Sequence, residues 1–350
     1  MNHRTLFVSL ALALTTAVSA QIKQKLILPQ PGTTPSKAQQ AQIDRKYGMF
    51  IHFGINTFHD MEWTDGTKPA NSYQPTQIDA EQWITAAKEA GMRYVILVSK
   101  HHDGFCLWDS KLTTYDVASS GNPTNVIEAV AKACKKHGIG LGLYYSLWDR
   151  NRNADTSNAA LDEEYNKYMI EQLKELIGIT KKYTHVVEFW FDGGWMKPNY
   201  RWPVMDIYQT IKRLEPLCQV GINWSIGAAD NPDKPSITPQ KQKEGLPIRY
   251  FPSDFRLGDP YLPEDNDPKV FSHDGKHYYM PWESTVCLSL RWFYNTKDNT
   301  YKSLDELEAL YRKATKNNNI LILNCPPNRE GRLRQADIDL LKQLRSRVQP

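Results

Sequence analysis

One carboxylate of this sequence lies in surroundings that could support catalysis. Asp192 ends the run VVEFWFD, whose β-branched and aromatic residues are typical of a buried strand, and two glycines follow it. Trp190 and Trp195 flank this carboxylate in the sequence. An ionised carboxylate among indole rings costs free energy unless it is paired or used in a reaction. Asp192 is therefore either a turn residue that caps the next helix or a catalytic carboxylate at the end of a strand.

Short apolar strands that alternate with amphipathic helices would position this carboxylate. The predicted strands cover residues 47–55, 94–99, 141–146, 186–192, 218–224, 249–251, 285–290 and 319–323. Such alternation implies parallel strands joined by right-handed crossovers. We therefore predict an α/β fold, a (β/α)8-type (TIM-like) barrel of regular or irregular form, with its active site at the carboxyl ends of the strands. A doubly wound sheet is the alternative, although no glycine-rich phosphate loop follows the first strand.

Polar and aromatic side chains gather near the predicted strand ends. They are His52, Glu62, Trp63, His101, His102, Tyr144, Trp148, Asp149, Trp190, Asp192, Trp282, Glu283 and Asn324. The set contains few cations, whereas phosphate or carboxylate substrates call for arginine and lysine. It suits a neutral, polyhydroxylated substrate better. Two carboxylates on facing walls of one pocket are what the cleavage of a glycoside requires.

The same residues allow other interpretations. His101 and His102 could bind a metal, but neighbouring residues of a regular strand point to opposite faces, so we predict neither a metal nor a cofactor. His52 could be a buried core histidine, and Glu283 could simply pair with Arg291. No G-x-S-x-G elbow and no cysteine signature indicates nucleophilic catalysis by serine or cysteine.

The start of the chain and its composition indicate where the protein is located and which partners it lacks. Residues 1–20 have the basic residue, the short apolar core and the small-residue cleavage site of an export signal, and a Pro- and Gln-rich leader follows over 21–42. Residues 43–350 would then form one catalytic domain. The apolar run is too short to cross a bilayer, so we expect no membrane insertion and a periplasmic or secreted protein. A net charge of +4 from scattered residues gives no indication of nucleic-acid binding.

Several motifs resemble those of a known family. The segments YGMFIHFG, MEW, KHHDGFCLW, GLYYSLWDRN, FWFDG and NCPPNREG follow the order and spacing of the glycoside hydrolase family 29 α-L-fucosidases, over about residues 47–331. The resemblance implies an irregular (β/α)-type barrel and a retaining exo-glycosidase. Its substrate would be a fucosylated oligosaccharide or glycoconjugate, from which it removes terminal α-L-fucose. Many members append a C-terminal β-sandwich, which we expect this chain to lack because it stops soon after NCPPN.

The resemblance also implies roles for individual residues. Asp192 matches the nucleophile of the family, and the positions that hold the fucose are matched by His52, Glu62, Trp63, His101, His102, Tyr144 and Trp190. The run WESTVCLSLRWFY resembles a segment that carries the acid/base glutamate in one branch, which assigns that role to Glu283. That branch prefers α-1,3 and α-1,4 fucosides.

Two questions stay open at this point. Ser289 stands where that branch has an arginine, and residues 228–276, which we expect to form long functional loops, offer other carboxylates for the acid/base role. They are Glu244, Asp254 and Glu264. The alternative functions are hydrolysis of a related sugar such as an α-L-galactoside, and fucose binding without catalysis.

Overall fold

The computed structural model describes residues 25–152 and 158–350, which form ten strands and eight α-helices. The strands are β1 (Tyr47–Ile51), β2 (Tyr94–Lys100), β3 (Gly140–Ser146), β4 (Val186–Asp192), β5 (Gln219–Ile222), β6 (Arg256–Gly258), β7 (Val270–His273), β8 (Lys276–Tyr279), β9 (Trp282–Cys287) and β10 (Ile320–Asn324). The helices are α1 (Lys37–Arg45), α2 (Asn56–His59), α3 (Ala80–Glu89), α4 (Val126–His137), α5 (Ala159–Thr180), α6 (Val204–Leu214), α7 (Leu304–Ala314) and α8 (Gln335–Val348). The predicted export signal and the first residues of the predicted leader lie outside the described ranges.

Eight of the strands form one parallel sheet that curls into a nearly closed barrel. Their order is β5-β4-β3-β2-β1-β10-β9-β6, and each neighbouring pair is parallel. A parallel bridge between Gly221 and Phe255 joins the two edges of the sheet. The remaining two strands, β7 and β8, form an antiparallel hairpin between β6 and β9. The predicted (β/α)8-type barrel is therefore confirmed.

Two apolar cores hold the barrel together. The larger core packs the outer face of the strands against the helices. The smaller core fills the barrel interior with Phe50, Tyr94, Ile96, Val98, Tyr144, Trp190, Phe255, Leu257, Ile320 and Ile322. Side chains alternate between the two faces of a strand, so Glu188 and Asp192 share the interior face of β4 with Trp190.

Three strands and one helix differ from the predicted boundaries, and the first strand ends at Ile51 rather than at residue 55. The sixth barrel strand is Arg256–Gly258 rather than 249–251, and the seventh is Trp282–Cys287 rather than 285–290. Helix α1 begins within the predicted leader, where Ser36 and Gln39 form a capping box. Gln39 Nε2 also donates hydrogen bonds to the carbonyl oxygens of Asp254 and Tyr279, so this helix packs on the barrel.

The described residues also bear on membrane insertion and on the state of the cysteines. Over 25–152 and 158–350, no helix combines the length and the apolar character needed to cross a membrane. The five cysteines are free and buried, as expected for small apolar side chains of a core.

Candidate active site

A cavity opens at the carboxyl ends of the barrel strands. Seven of the nine residues predicted for the site line it, namely His52, Trp63, His101, His102, Tyr144, Trp190 and Asp192. The rest of its lining consists of Phe50, Trp195, Asp259, Thr285 and Trp292. The other two predicted residues, Glu62 and Glu283, lie outside this lining. The barrel therefore gathers side chains from distant parts of the sequence, as its topology predicts.

Asp192 lies at the base of this cavity as the last residue of β4. It is 7% exposed, and its carboxylate accepts hydrogen bonds from the Tyr144 hydroxyl at 2.9 Å and from Asn223 Nδ2 at 3.1 Å. His102 Nε2 lies 3.6 Å from Asp192 Oδ2. Burial and the charge of Asp259 raise the pKa of Asp192 to about 8, while the bonds from Asn223, the Gly193 N–H and Tyr144 oppose that rise.

A second carboxylate, Asp259, lies beside Asp192 in the cavity lining. Asn223 Nδ2 donates to Asp259 Oδ1 at 2.6 Å and to Asp192 Oδ1 at 3.1 Å. The two carboxylate oxygens are therefore no farther apart than the sum of these distances, which is compatible with the about 5–5.5 Å found in retaining glycosidases. Burial raises the pKa of Asp259 as well. Two close, buried carboxyl groups do not both ionise readily, so the pair retains one proton at neutral pH.

Three neutral histidines also line the cavity. Burial lowers the pKa of His52 and of His102 to about 3, and it lowers the pKa of His101 well below its usual value. A neutral imidazole offers one hydrogen-bond donor and one acceptor, which matches the two capacities of a hydroxyl group. His101 Nδ1 and Trp190 Nε1 are buried and have no partner among the described residues. These two atoms are free to bind a polar ligand.

The tautomer of His52 follows from its neighbour Asn324. The Asn324 amide nitrogen donates to the Trp292 carbonyl oxygen at 2.8 Å, so its Oδ1 atom faces His52 Nδ1 at 2.7 Å as an acceptor. His52 Nδ1 therefore carries the hydrogen, and Nε2 is left as an acceptor.

An irregularity in β2 brings both His101 and His102 into the cavity. The register between β2 and β3 shifts between Val98 and Lys100. Lys100 then pairs with Asp149 at 2.8 Å, and the two histidines follow beyond the end of the strand. The alternation expected of a regular strand does not apply here. Among the residues described, no group of three or more histidine, cysteine or acidic side chains could hold a metal ion.

The cavity lining does not include Glu62, whose carboxylate contacts the loop that carries Trp292. Its Oε2 atom accepts hydrogen bonds from the backbone N–H groups of Trp292 at 3.1 Å and of Phe293 at 3.4 Å. Trp292 itself lines the cavity. Glu62 therefore holds the loop that carries this wall, and the neighbouring Trp63 packs edge-on against His102 with ring centroids 5.1 Å apart.

The structure does not bring Glu283 to the cavity. Glu283 is fully buried near the start of β9, and its register partner Ile320 begins β10. Its carboxyl group accepts a hydrogen bond at 3.0 Å from Tyr94, the first residue of β2. These residues lie at the amino ends of the parallel strands, whereas Asp192 ends β4. The predicted acid/base role of Glu283 therefore conflicts with its position at the opposite end of the barrel.

Glu283 instead belongs to a polar cluster at the barrel floor. Burial and the neighbouring Glu188 raise the pKa of Glu283 well above its usual value. Glu188 accepts hydrogen bonds from Gln42 at 3.3 Å and from Arg45 at 3.4 Å. Glu188 and Asp192 are four residues apart on β4, which corresponds to about 13 Å along an extended strand. The protonated Glu283 thus has a structural partner far from the cavity.

The three other carboxylates considered from the sequence also bind elsewhere. Asp254 pairs with Lys212 at 2.7 Å. Glu244 accepts hydrogen bonds from the backbone of residues 269 and 270, and Glu264 accepts one from Gln240 at the surface. The acid/base candidate that the sequence reasoning missed is Asp259. It follows β6 directly, so a correctly placed sixth strand would have identified it as a strand-end residue.

We expect Gly193→Ala to lower the free energy of unfolding by about 1–3 kcal/mol, as is usual for strained backbone positions. Gly193 has φ +78°, and an added Cβ would lie 3.0 Å from Ser146 Oγ and 3.1 Å from His102 Nδ1. Gly178→Ala in α5 is the matched control, because nothing lies within 4 Å of its added Cβ. Urea unfolding should show that only the first variant is destabilised, and equal stability of both would contradict this account of the turn.

Comparisons with known proteins show the family of this chain. The profile of the family described as alpha-L-fucosidase matches residues 60–347. Alpha-L-fucosidase 1 of Arabidopsis thaliana is 32% identical over 327 residues, which cover 91% of this chain and 60% of that protein. The chain therefore spans about 60% of the length of this curated relative.

Solved structures share the same fold. A putative alpha-L-fucosidase from Bacteroides ovatus is 29% identical with a TM-score of 0.70, and the match covers 89% of this chain and 55% of that one. A Ruminococcus gnavus fucosidase of glycoside hydrolase family 29, solved in complex with fucose, is 25% identical with a TM-score of 0.71. That match covers 93% of this chain and 69% of the other.

Proposed function

This chain belongs to the alpha-L-fucosidase family, and we propose that it removes terminal α-L-fucose from oligosaccharides or glycoconjugates with retention of configuration. The observation that carries this proposal is the pair of buried carboxyl groups, Asp192 and Asp259, bridged by Asn223 in the cavity. A related fucosidase that was solved with fucose bound supports the choice of sugar.

We assign the nucleophile to Asp192. It accepts hydrogen bonds from Tyr144, Asn223 and the backbone of Gly193, and donors of this kind stabilise the ionised form of a carboxyl group. In the first step a carboxylate oxygen of Asp192 attacks the anomeric carbon while the bond from that carbon to the leaving oxygen breaks. A covalent fucosyl-enzyme results.

We assign the acid/base role to Asp259 instead of Glu283. With the proton of the pair on Asp259, this group protonates the leaving oxygen in the first step. In the second step water attacks the anomeric carbon, Asp259 takes a proton from that water, and the bond to Asp192 breaks. Two inversions at the same carbon leave the configuration of the sugar unchanged.

The cavity lining also suits the chemical character of fucose. Neutral His52, His101 and His102 can bind hydroxyl groups, while Phe50 and Trp190 offer apolar surface for the methyl group. An α-L-galactoside would place an added hydroxyl where fucose has its methyl group. Apolar surfaces reject such a change by only about 100-fold. Comparison of the two aryl glycosides would show which sugar the enzyme prefers.

Hydrolysis of an aryl α-L-fucoside followed by proton NMR tests the reaction. We expect release of the aryl alcohol and initial formation of α-L-fucose, because two displacements restore the starting configuration. Initial formation of the β-anomer would exclude the covalent intermediate. Fucose binding without release of the alcohol would favour the non-catalytic alternative.

The cellular location of the enzyme and its linkage preference are also proposals. The composition of residues 1–20 supports export to the periplasm or the outside of the cell, and a mature protein that begins at Gln21 would agree with it. The segment GLYYSLWDRN, which resembles that of the same branch of the family, supports a preference for α-1,3 and α-1,4 linkages. Rates measured on α-1,2, α-1,3 and α-1,4 fucosides would test that preference.

A further inference from the structure

Two indole rings pack against each other beside the cavity, and one of them, Trp195, belongs to the cavity lining. Trp195 and Trp224 have ring centroids 4.3 Å apart with an interplanar angle of 35°. Trp195 follows the glycine turn after Asp192, and Trp224 follows Asn223, which bridges the two carboxyl groups. Both side chains are only partly buried. The ring pair, which we call the Trp195–Trp224 platform, is therefore joined to the reacting groups from two sides.

The conformation of Trp224 is unusual for a large side chain. Its φ is +60°, in the left-handed region that favours glycine. Strained residues of this kind persist where the surroundings hold them, and they cluster at functional sites. The Trp224 indole N–H is also buried without a partner among the described residues. Packing of two loops alone explains neither the strain nor the unpaired donor.

A second unpaired donor belongs to Arg249, whose backbone N–H donates to the carbonyl oxygen of Ser225, the residue after Trp224, at 2.7 Å. Arg249 Nη1 is buried and has no partner within the described part of the chain. The Arg249 guanidinium lies over the Tyr250 ring at 4.3 Å from its centroid. The Tyr250 hydroxyl in turn lies against Gly194, where an added Cβ would come within 3.0 Å of it. Buried donors are normally satisfied, so this set of groups indicates a ligand that is rich in oxygen.

We propose that the Trp195–Trp224 platform binds the leaving-group sugar, a pyranose that carries the fucose, and that the Trp224 N–H and Arg249 donate to its oxygens. The leaving group must lie beside the acid, and Asn223 connects Asp259 directly to Trp224. One face of a pyranose presents C–H groups, which pack well against an indole ring, while its hydroxyls need polar partners. This inference rests on the proposed function.

The test compares two substrates that differ only in the leaving group. α-L-Fucosyl fluoride releases a single atom that cannot reach the platform, whereas a disaccharide of fucose α-linked to a pyranose places a ring there. Trp224→Ala should lower kcat/KM for the disaccharide by about 10-fold or more, mainly through KM, because a stacked ring of this kind is lost. Hydrolysis of the fluoride should stay within about twofold of wild type, since it makes no such contact.

Two further variants separate binding from folding. Trp224→Phe keeps a ring and should retain more disaccharide activity than Trp224→Ala. Trp224→Gly fits the positive φ, so it should be no less stable than Trp224→Ala while the disaccharide activity falls by a similar factor. Equal loss on both substrates, or unchanged disaccharide kinetics in Trp224→Ala, would overturn the proposal. Failure of the proposed function is distinct, because wild type would then hydrolyse neither substrate.

Discussion

Asp192→Ala is expected to lower kcat for an aryl α-L-fucoside by about 10⁴-fold or more, the range seen when a catalytic nucleophile is removed. The carboxylate is 7% exposed at the end of β4 and accepts hydrogen bonds from Tyr144 and Asn223. A neutral methyl group in its place can neither attack the anomeric carbon nor stabilise positive charge on the sugar ring. Stopped assays with the purified variant would measure the loss directly.

Added azide should restore part of that activity. The small anion can enter the space left by the carboxylate and attack the same carbon. One displacement replaces two, so the product should be the inverted β-L-fucosyl azide. Asp192→Asn is the matched control, because its amide fills the same space and should resist rescue. Turnover of Asp192→Ala close to wild type, or azide products of mixed configuration, would contradict the assignment of the nucleophile.

Local sequence signals were sufficient to predict that Asp192 ends a strand and lies at the carboxyl end of the barrel. The strand β4 consists of large apolar residues, and the carboxylate and the glycine turn follow without interruption, so the pattern is contained within ten residues. The helix start at Ser303 is local in the same way, because its side chain and that of Glu306 form a capping box within one turn. Features that depend on neighbouring residues of the chain could therefore be predicted well.

The position of Asp259 depends on distant residues and was missed. Its strand, β6, has only three residues, and one of them is the charged Arg256, which is 1% exposed. The Arg256 guanidinium forms a salt bridge with Asp267 at 2.8 Å. The hydrophobic periodicity of the sequence gives no sign of this pairing. The more apolar run at 249–251 was therefore chosen as the sixth strand. The shift moved the predicted strand end away from the carboxylate that reaches the cavity.

Glu283 illustrates a different limit. The motif resemblance identified a glutamate in an aromatic, apolar segment, and such a residue does have a raised pKa, because burial favours its protonated form. A raised pKa is expected of a general acid, but it is equally expected of a buried structural carboxyl group. In a parallel barrel the start of a strand and its end lie on opposite faces. The register of β9 with β10 therefore decides the question, and the residue type does not.

Asp259→Asn should slow the hydrolysis of substrates whose leaving group needs a proton much more than that of substrates whose leaving group does not. We expect a loss of about 10²–10⁴-fold for a fucosyl disaccharide, the usual contribution of a general acid. Formation of the fucosyl-enzyme from a 2,4-dinitrophenyl α-L-fucoside should change by less than about tenfold, because this leaving group departs without a proton. Pre-steady-state release of the dinitrophenol would measure that first step separately from the second.

The pH dependence of the wild-type enzyme should report the same proton. Burial raises the pKa of both carboxyl groups, and the charge of Asp259 raises that of Asp192 to about 8, so the pair as a whole holds one shared proton at neutral pH. As the pH rises through about 8 that proton leaves, and kcat/KM for the disaccharide should fall. Asp259→Asn cannot lose it, so the fall should be absent from its profile on the dinitrophenyl substrate.

Glu283→Gln provides the decisive control for this assignment. Glutamine can still accept the hydrogen bond from Tyr94 and can donate to Glu188, so the barrel floor should remain paired and both substrates should react at nearly wild-type rates. A selective loss on the disaccharide in Glu283→Gln, together with equal losses on both substrates in Asp259→Asn, would return the acid role to Glu283. That outcome would require the proton to reach the leaving group from the opposite end of the barrel, across a packed interior that includes Phe50 and Ile96. The positions of the two carboxyl groups therefore favour Asp259 as the proton donor.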